Sequence, residues 1–339
     1  MKRIVSVLTA VFFMTGMAVG QSNNSTTTQS GDGNSATVEQ QGSLHQSTIV
    51  QDAHSSGGVD DGNTAIVKQK SGNENLSDIL QGQAPALNAE AYVDQIGSLN
   101  ESRLKQAGGS NWADIDQEGD NNIVGRYENY TKRAVQINGS VIGSADKNFL
   151  DVDQIGNKNK AGVWQSHFSE ATILQEGTSN EANVKQTGAF KGKMNSTNVD
   201  QDGSENYADI YQNGEGNEAS VRHQHYSNES YQHIVGNRNF MSANIHGNNN
   251  VTDQTQMGDE NWSYVAASPS AIENNLTTEQ TGDNNTSYVR VAGYDNSTGN
   301  EIIIDQDGNN NESWSTTIGN NNEIDVVQDG MGNISGTGN

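Results

Sequence analysis

Alternation is the first regularity along the chain. In Asn100-Glu-Ser102-Arg-Leu104-Lys-Gln106, small, apolar and amide residues take every second position, with charged or polar residues between them. A period of two predicts a strand with one face inward. The next stretch, Asn111-Trp-Ala113-Asp-Ile115-Asp-Gln117, repeats the pattern. Short segments with glycine separate the strands, as in Gln95-Ile-Gly97-Ser-Leu-Asn100 and Gln106-Ala-Gly108-Gly-Ser-Asn111. Glycine there supplies the positive φ of a tight turn. A helix is disfavoured, because Gly and Asn recur in every unit and weaken it.

Strand and turn together make an 11-residue unit, Q-x-G-x-x-N-x-[A/S]-x-[V/I]-x, followed by Gln again. It recurs with Gln154, Gly156, Asn159 and Gln165; with Gln175, Gly177, Asn180 and Gln186; and with Gln201, Gly203, Asn206 and Gln212. Near the C-terminus it returns as Gln306, Gly308 and Asn311, then Gln328, Gly330 and Asn333. Roughly 26 units fit between Asn23 and Asn339, a density that marks a repeat architecture. Some keep the spacing and lose the glutamine: His223, Ile234, Ile245, Val291 and Thr317 fall in its slot. The spacing therefore reads as a structural register.

The inward pairs after Leu276 run Ile302/Ile304, Ser313/Ser315, Ile324/Val326 and Ser335/Thr337. Large and small alternate, so the true period is about 22 residues, two strands to a coil. The predicted fold is all-β: a cross-β, amyloid-like solenoid of two-strand coils, each 11-residue unit being half a coil. About 13 coils at roughly 4.8 Å per rung give a body about 60 Å long. Within each sheet, the inward Asn and Gln side chains are expected to stack as hydrogen-bonded ladders, the structural site of this chain. Trp112, Trp164, Trp262, Trp314, Tyr207, Tyr211, Tyr264 and Tyr288 fall in outward slots. Extra residues at 52–62, 126–132, 138–147 and 189–194 are placed between a Gln anchor and the next strand. Pro85 and Pro269 lie in such insertions, where no ladder donor is lost. Between Gln117 and Gln136 the spacing turns Tyr130 and Lys132 inward.

Composition narrows the function classes. Of 339 residues, 31% are hydrophobic and 6% aromatic, too few for a conventional core of this size. The net charge of -24 argues against a nucleic-acid partner, which needs a basic footprint. There is no cysteine, so stability must come from something other than disulfides. Residues 1–20 read as a secretory signal: Lys2 and Arg3, then an apolar run from Ile4 to Phe13, then Ala18-Val19-Gly20 before Gln21. The mature repeat region is then 21–339, with no later stretch approaching the roughly 20 apolar residues of a membrane helix.

At this point the chain resembles the curlin family, whose repeat of about 22 residues has the form S-x5-Q-x-G-x2-N-x-A-x3-Q. Gln154, Gly156, Asn159, Ala161 and Gln165 carry the resemblance, as do Gln175, Gly177, Asn180, Ala182 and Gln186. The chain departs from the family in its length, in its interrupted turns, and in having Asn where the family alternates Ser and Asn. The resemblance implies a structural subunit of an extracellular amyloid fibre, serving adhesion and biofilm matrix. It implies as partners further copies of the chain, a related curlin subunit, a dedicated export pore with accessory proteins, and host or abiotic surfaces.

No enzyme, cofactor or metal is expected. Carboxylates are scattered over outward slots, without the paired acids of a glycosidase. A Ca²⁺-binding solenoid has a nine-residue period with a fixed Asp in each turn, and the turns here are irregular. His223, His225 and His233 read as slot-fillers more readily than as a metal set. An ice-binding face needs a regular outward Thr array. The serious rival is a secreted solenoid adhesin that never polymerises. It differs in needing capped ends, and the last unit, Gln328 to Asn339, reads as an open edge.

Overall fold

Each alternating segment forms one strand, and each glycine segment turns the chain back. A computed structural model describes residues 22–31, 33–53, 62–82, 88–108, 110–126, 132–137, 148–188, 194–293 and 297–338. The predicted signal segment, Pro85, Tyr130 and the insertion at 138–147 lie outside the described residues. Within them the chain is all-β, without a helix, and strands pass alternately to two parallel sheets. Sheet 1 runs from Asn24–Gly31 to Glu323–Met331; sheet 2 runs from Ser35–Ser43 to Ile334–Gly338. Two strands per coil thus build a β-solenoid. A 2-stranded side ladder, Ala271–Ile272 with Ser297–Thr298, stands beside it, just past the turn that holds Pro269.

Register follows the repeat. Glu101 pairs with Ile123 and Glu301 with Glu323. The ladder step is 22 residues where nothing interrupts the coil, 21 between Gln154 and Gln175, and 37 between Gln117 and Gln154. The insertions at 138–147 and 189–194 fall between a Gln anchor and the next strand. Conserving the register across such lengths keeps every inward side chain inward, since a slip of one residue would turn all of them out.

The core is one layer thick. Ala91, Val93, Ala113, Ile115, Leu150 and Val152 of sheet 2 face Ser102, Leu104, Ala161 and Val163 of sheet 1, all buried. Near the C-terminus Ile302 and Ile304 of sheet 1 face Ser313 and Ser315 of sheet 2, also buried. There a bulky strand thus meets a small one across the thin interior.

One sequence expectation needs correction. The residues from Arg126 to Lys132 do not extend a turn; they interrupt a strand. Ile123–Gly125 and Ala134–Ile137 lie on the same rung, both pairing with Glu101–Ala107 and with Lys160–Ser166. The rung's inward residues are Val124, Ala134 and Gln136, and Lys132 is exposed. The physical reason is that a rung tolerates an interruption when both halves regain the register and keep their ladder hydrogen bonds.

Candidate functional site: the amide ladders

Two columns of buried glutamines run along the solenoid axis. In sheet 2, Gln69, Gln95, Gln117, Gln154, Gln175 and Gln201 each accept from the preceding glutamine at 2.8–2.9 Å. In sheet 1 the column passes through Gln51, Gln81, Gln106, Gln136, Gln165, Gln186 and Gln212 at 2.8–3.1 Å. It resumes as Gln256, Gln280, Gln306 and Gln328 at 2.7–2.8 Å. Each amide carries a second N–H, and this one crosses the core. Gln106 donates to the carbonyl of Glu90 at 2.8 Å, Gln165 to Phe149 at 2.8 Å and Gln186 to Glu170 at 2.8 Å. The end of one strand is thereby tied to the start of the facing strand. Both N–H groups and the carbonyl are used, as a buried amide requires.

Asparagine columns line the two corners. The Asn100 side-chain oxygen accepts from the Asn122 backbone N–H at 3.0 Å, Asn159 from Asn180 at 3.1 Å, and Asn180 from Asn206 at 3.1 Å. Their Nδ2 groups reach the glycine carbonyl of the next coil: Asn100 to Gly119 at 2.7 Å, Asn159 to Gly177 at 3.2 Å and Asn180 to Gly203 at 3.0 Å. At the other corner Asn111 accepts from Asn148 at 3.0 Å, and Asn311 accepts from Asn333 at 3.1 Å and donates to Gly330 at 3.1 Å. Gly97, Gly156, Gly177, Gly203, Gly308 and Gly330 all have φ between 109° and 128°, and Gly108 has 84°. At Gly97 an added Cβ would lie 2.0 Å from the Gly119 carbonyl oxygen, so glycine is required both for its φ and for the close approach.

Two features were missed. The residue two places after the turn glycine is also left-handed, as in Leu99 (60°), Lys158 (59°), Ser179 (61°) and Glu205 (60°). Downstream the position is often Asn, as in Asn249, Asn284, Asn310 and Asn321, a residue that tolerates the left-handed region. The cross-core glutamine bond was missed too, and its recurring spacing of 16 residues was available in the sequence.

The glutamine slot is not filled everywhere. In sheet 2 it passes from Gln201 to His223, Ile245, Ala267, Val291 and Thr317. In sheet 1 Ile234 interrupts it once, and Gln232 and Gln254 move the amide two positions inward on the strand. His223 is fully buried, with Nε2 2.6 Å from Ser230 Oγ and no partner at Nδ1. Burial pushes its pKa down to about 3. His225 lies exposed near the end of the strand Glu218–Tyr226, opposite Gly203, and His233 on the outer face of sheet 1, so the three histidines do not converge.

The outer faces carry the charge and the rings. Asp94, Asp114, Asp116, Asp151 and Asp153 lie outward on three neighbouring strands of sheet 2. Burial against the sheet, and then the carboxylates of Asp116, Asp151 and Asp153, raise the Asp114 pKa to about 6. Burial first, then neighbouring carboxylates, raises Asp116, Asp151 and Asp153 as well. Farther along, Phe240 stacks on Trp262 at 5.9 Å, and Tyr264 on Tyr288 at 5.4 Å.

The family described as the curlin-associated repeat matches the chain at residues 192–222 and 298–330. The first match ends one residue before His223 takes the glutamine slot, and the second includes Gln306 and Gln328. No curated protein matches the chain. Two matches to this repeat, in a chain that winds into a parallel two-sheet solenoid, support an assignment to the curlin family.

Proposed function

We propose that the protein is a structural, non-enzymatic subunit of a curli-type extracellular amyloid fibre, elongating head to tail by extension of both sheets. The observation that carries this is the polarity of the glutamine column in sheet 1. On both sides of Ile234 each glutamine donates to the next, so Gln328 ends with its carbonyl used by Gln306 and one N–H used by the Glu312 carbonyl. At the opposite end Gln29 donates to Gln51, and no ladder donor reaches its carbonyl among the described residues. A donor at one end and an acceptor at the other fit a second copy. Such heterologous contacts do not close on themselves and give filaments. The inward residues of the end coils, Ser25, Thr27, Ser335 and Thr337, are only partly covered or exposed, where their counterparts in inner coils are buried.

The family setting supports secretion through a signal at residues 1–20, passage through a dedicated pore, and a place in adhesion and biofilm matrix beside a related subunit. The mature protein is expected to form thioflavin-positive fibres with a meridional reflection at about 4.7–4.8 Å, the strand spacing. A protein that stays monomeric at high concentration for days would instead be a non-polymerising adhesin. Removing residues 317–339 tests the polarity: unchanged elongation would show that this edge is not the growing interface.

A further inference from the structure

The two outer faces of the same three coils carry opposite charge. On sheet 2 the strands Glu90–Ile96, Trp112–Asp120 and Phe149–Asn157 present Asp94, Asp114, Asp116, Glu118, Asp151 and Asp153, with no Lys or Arg on any of the three. On sheet 1 the strands that complete those coils are Glu101–Ala107, the interrupted rung at Ile123–Gly125 and Ala134–Ile137, and Lys160–Ser166. Their outer face and the flanks of the interruption present Arg103, Lys105, Arg126, Lys132, Arg133 and Lys160. Arg126 is held over the Trp164 ring at 4.2 Å, and Arg133 is anchored to Asp78 at 2.8 Å. The protein has 18 Lys and Arg against 42 Asp and Glu. A third of its cations on one face of three coils, behind an all-acidic face, is therefore a strong segregation.

We infer that these faces are the two halves of a lateral contact between copies of this chain, the sheet 2 face of one solenoid lying on the sheet 1 face of the next. The occupant is a second copy because each face is the electrostatic complement of the other at the same height along the axis. Strands of the two sheets run in opposite directions, as the bond from Gln106 at one strand's end to Glu90 at the other's start requires. Sideways translation of one copy, without axial shift, then sets Glu90 opposite Lys105 and Asp153 opposite Lys160. Asp114 and Asp151 come to face Arg103 and the arginines of the interruption. Trp112 and Phe149, stacked at 4.3 Å, face Val135 and Trp164. Asp94 comes opposite Glu101, whose charge is already paired with Arg103. The carboxylates crowd each other in the single solenoid, and cations of a neighbour relieve that crowding. The interruption of the strand at Arg126 also acquires a role, since it delivers three of the six cations.

This deepens the fibre reading and rests on it for its setting, side-by-side filaments. Two variants test it by charge exchange. Asp114→Lys with Asp151→Lys sets ammonium groups against Arg103 and the arginines of the interruption, and Arg103→Glu with Lys132→Glu sets carboxylates against the carboxylates of the sheet 2 face. All four side chains point outward, and far-ultraviolet circular dichroism checks that each variant still folds. Wild-type filaments are expected to pair or laminate in negative-stain images and to separate in 0.5 M NaCl. Each variant alone is expected to give single filaments, and an equimolar mixture to restore pairing. In sedimentation velocity the soluble mixture is expected to associate at least tenfold more tightly than either variant alone. Lateral pairing unchanged in the single variants, or absent from the mixture, would overturn the inference. So would pairing that a metal chelator abolishes, which would make the contact a cation bridge between acidic faces. The fibre reading is judged separately, by the 4.7–4.8 Å reflection in every sample. If no filament forms, the sedimentation of the mixed monomers still decides the contact.

Discussion

The coils before His223 and those after it solve the same folding problem with different cores. Upstream, both sheets carry an uninterrupted glutamine column, from Gln40 to Gln201 in sheet 2 and from Gln29 to Gln212 in sheet 1. Downstream, sheet 2 fills the same slot with His223, Ile245, Ala267, Val291 and Thr317, and the coils still stack in register. The asparagine columns do not change at that boundary. Asn228 binds Asn206 and Asn250 binds Asn228 through side-chain oxygens at 3.1 Å, as upstream. The corner of asparagine and glycine therefore holds the register. The glutamine column ties the two sheets together, and apolar contact can replace it.

The largest expected effect lies where the halves agree. Gly119→Ala upstream and Gly282→Ala downstream place a Cβ 2.0 and 2.1 Å from the next glycine carbonyl, at φ values of 111° and 101°. Each is expected to cost more than about 3 kcal/mol, since backbone cannot yield cheaply and both penalties add. Denaturant midpoints of soluble protein check this. If the downstream variant is tolerated and the upstream one is not, the corner is not the shared device.

The next effect separates the halves. Gln117→Leu leaves a donor on Gln95 and the carbonyl of Gln154 unpaired in the core. The expected cost is about 2–4 kcal/mol, two stranded amide groups. Thr317→Val, in the same slot downstream, removes a buried hydroxyl that has no partner and is expected to change stability by less than about 1 kcal/mol. Equal losses at the two positions would erase the distinction.

Acid should drive the two halves apart. His223 has a folded pKa of about 3, below its unfolded value of 6.5, so the unfolded state takes up the proton first. Stability is full above pH 6.5 and falls by up to about 1.4 kcal/mol per unit as the pH drops toward 3. The Asp114 carboxyl has the opposite sign. Its folded pKa of about 6 exceeds the ordinary 3.8, so the stability tied to its protonation is present in acid and lost as the pH rises through 6. Hydrogen exchange resolved by segment, at pH 7 and pH 5, is expected to show the coil at Glu218–Tyr226 loosening while the strands carrying Asp114 and Asp151 tighten. His223→Gln should remove the first change and leave the second.

Most of the coil was legible in the sequence, because an 11-residue spacing with alternating polarity allows little but strand, turn and strand. The family resemblance rested on the same residues. What spacing did not reveal depends on closure in three dimensions. Gly125 and Ala134 belong to one rung, and only their common partners in the neighbouring strands show it. An alignment that assigns extra residues to turns turns Lys132 inward, where an unpaired ammonium would be costly. The opposition of Asp114 and Arg103 across a coil is likewise invisible until strands are assigned to sheets. The left-handed residue after the glycine turn leaves a trace mainly downstream, where Asn284, Asn310 and Asn321 occupy it, whereas Leu99, Lys158 and Glu205 have nothing chemical in common.

The smallest effect concerns the outer face of sheet 2, where the halves also differ. Upstream the face is acidic, with one stacked pair, Trp112 on Phe149, among the carboxylates. Downstream, Phe240, Trp262, Tyr264 and Tyr288 form a nearly parallel stack, with interplanar angles of 8–13°. Neighbouring rings on adjacent strands contribute about 0.2–1 kcal/mol to a sheet, far less than the buried amides. Tyr288→Ser is therefore expected to lower stability by about 1 kcal/mol or less, with the ladder intact. A loss of 3 kcal/mol or more would mean that the rings, and not the core, hold these glutamine-poor coils together. The comparison would then change its terms: downstream coils would have moved their cohesion from inside the solenoid to its surface.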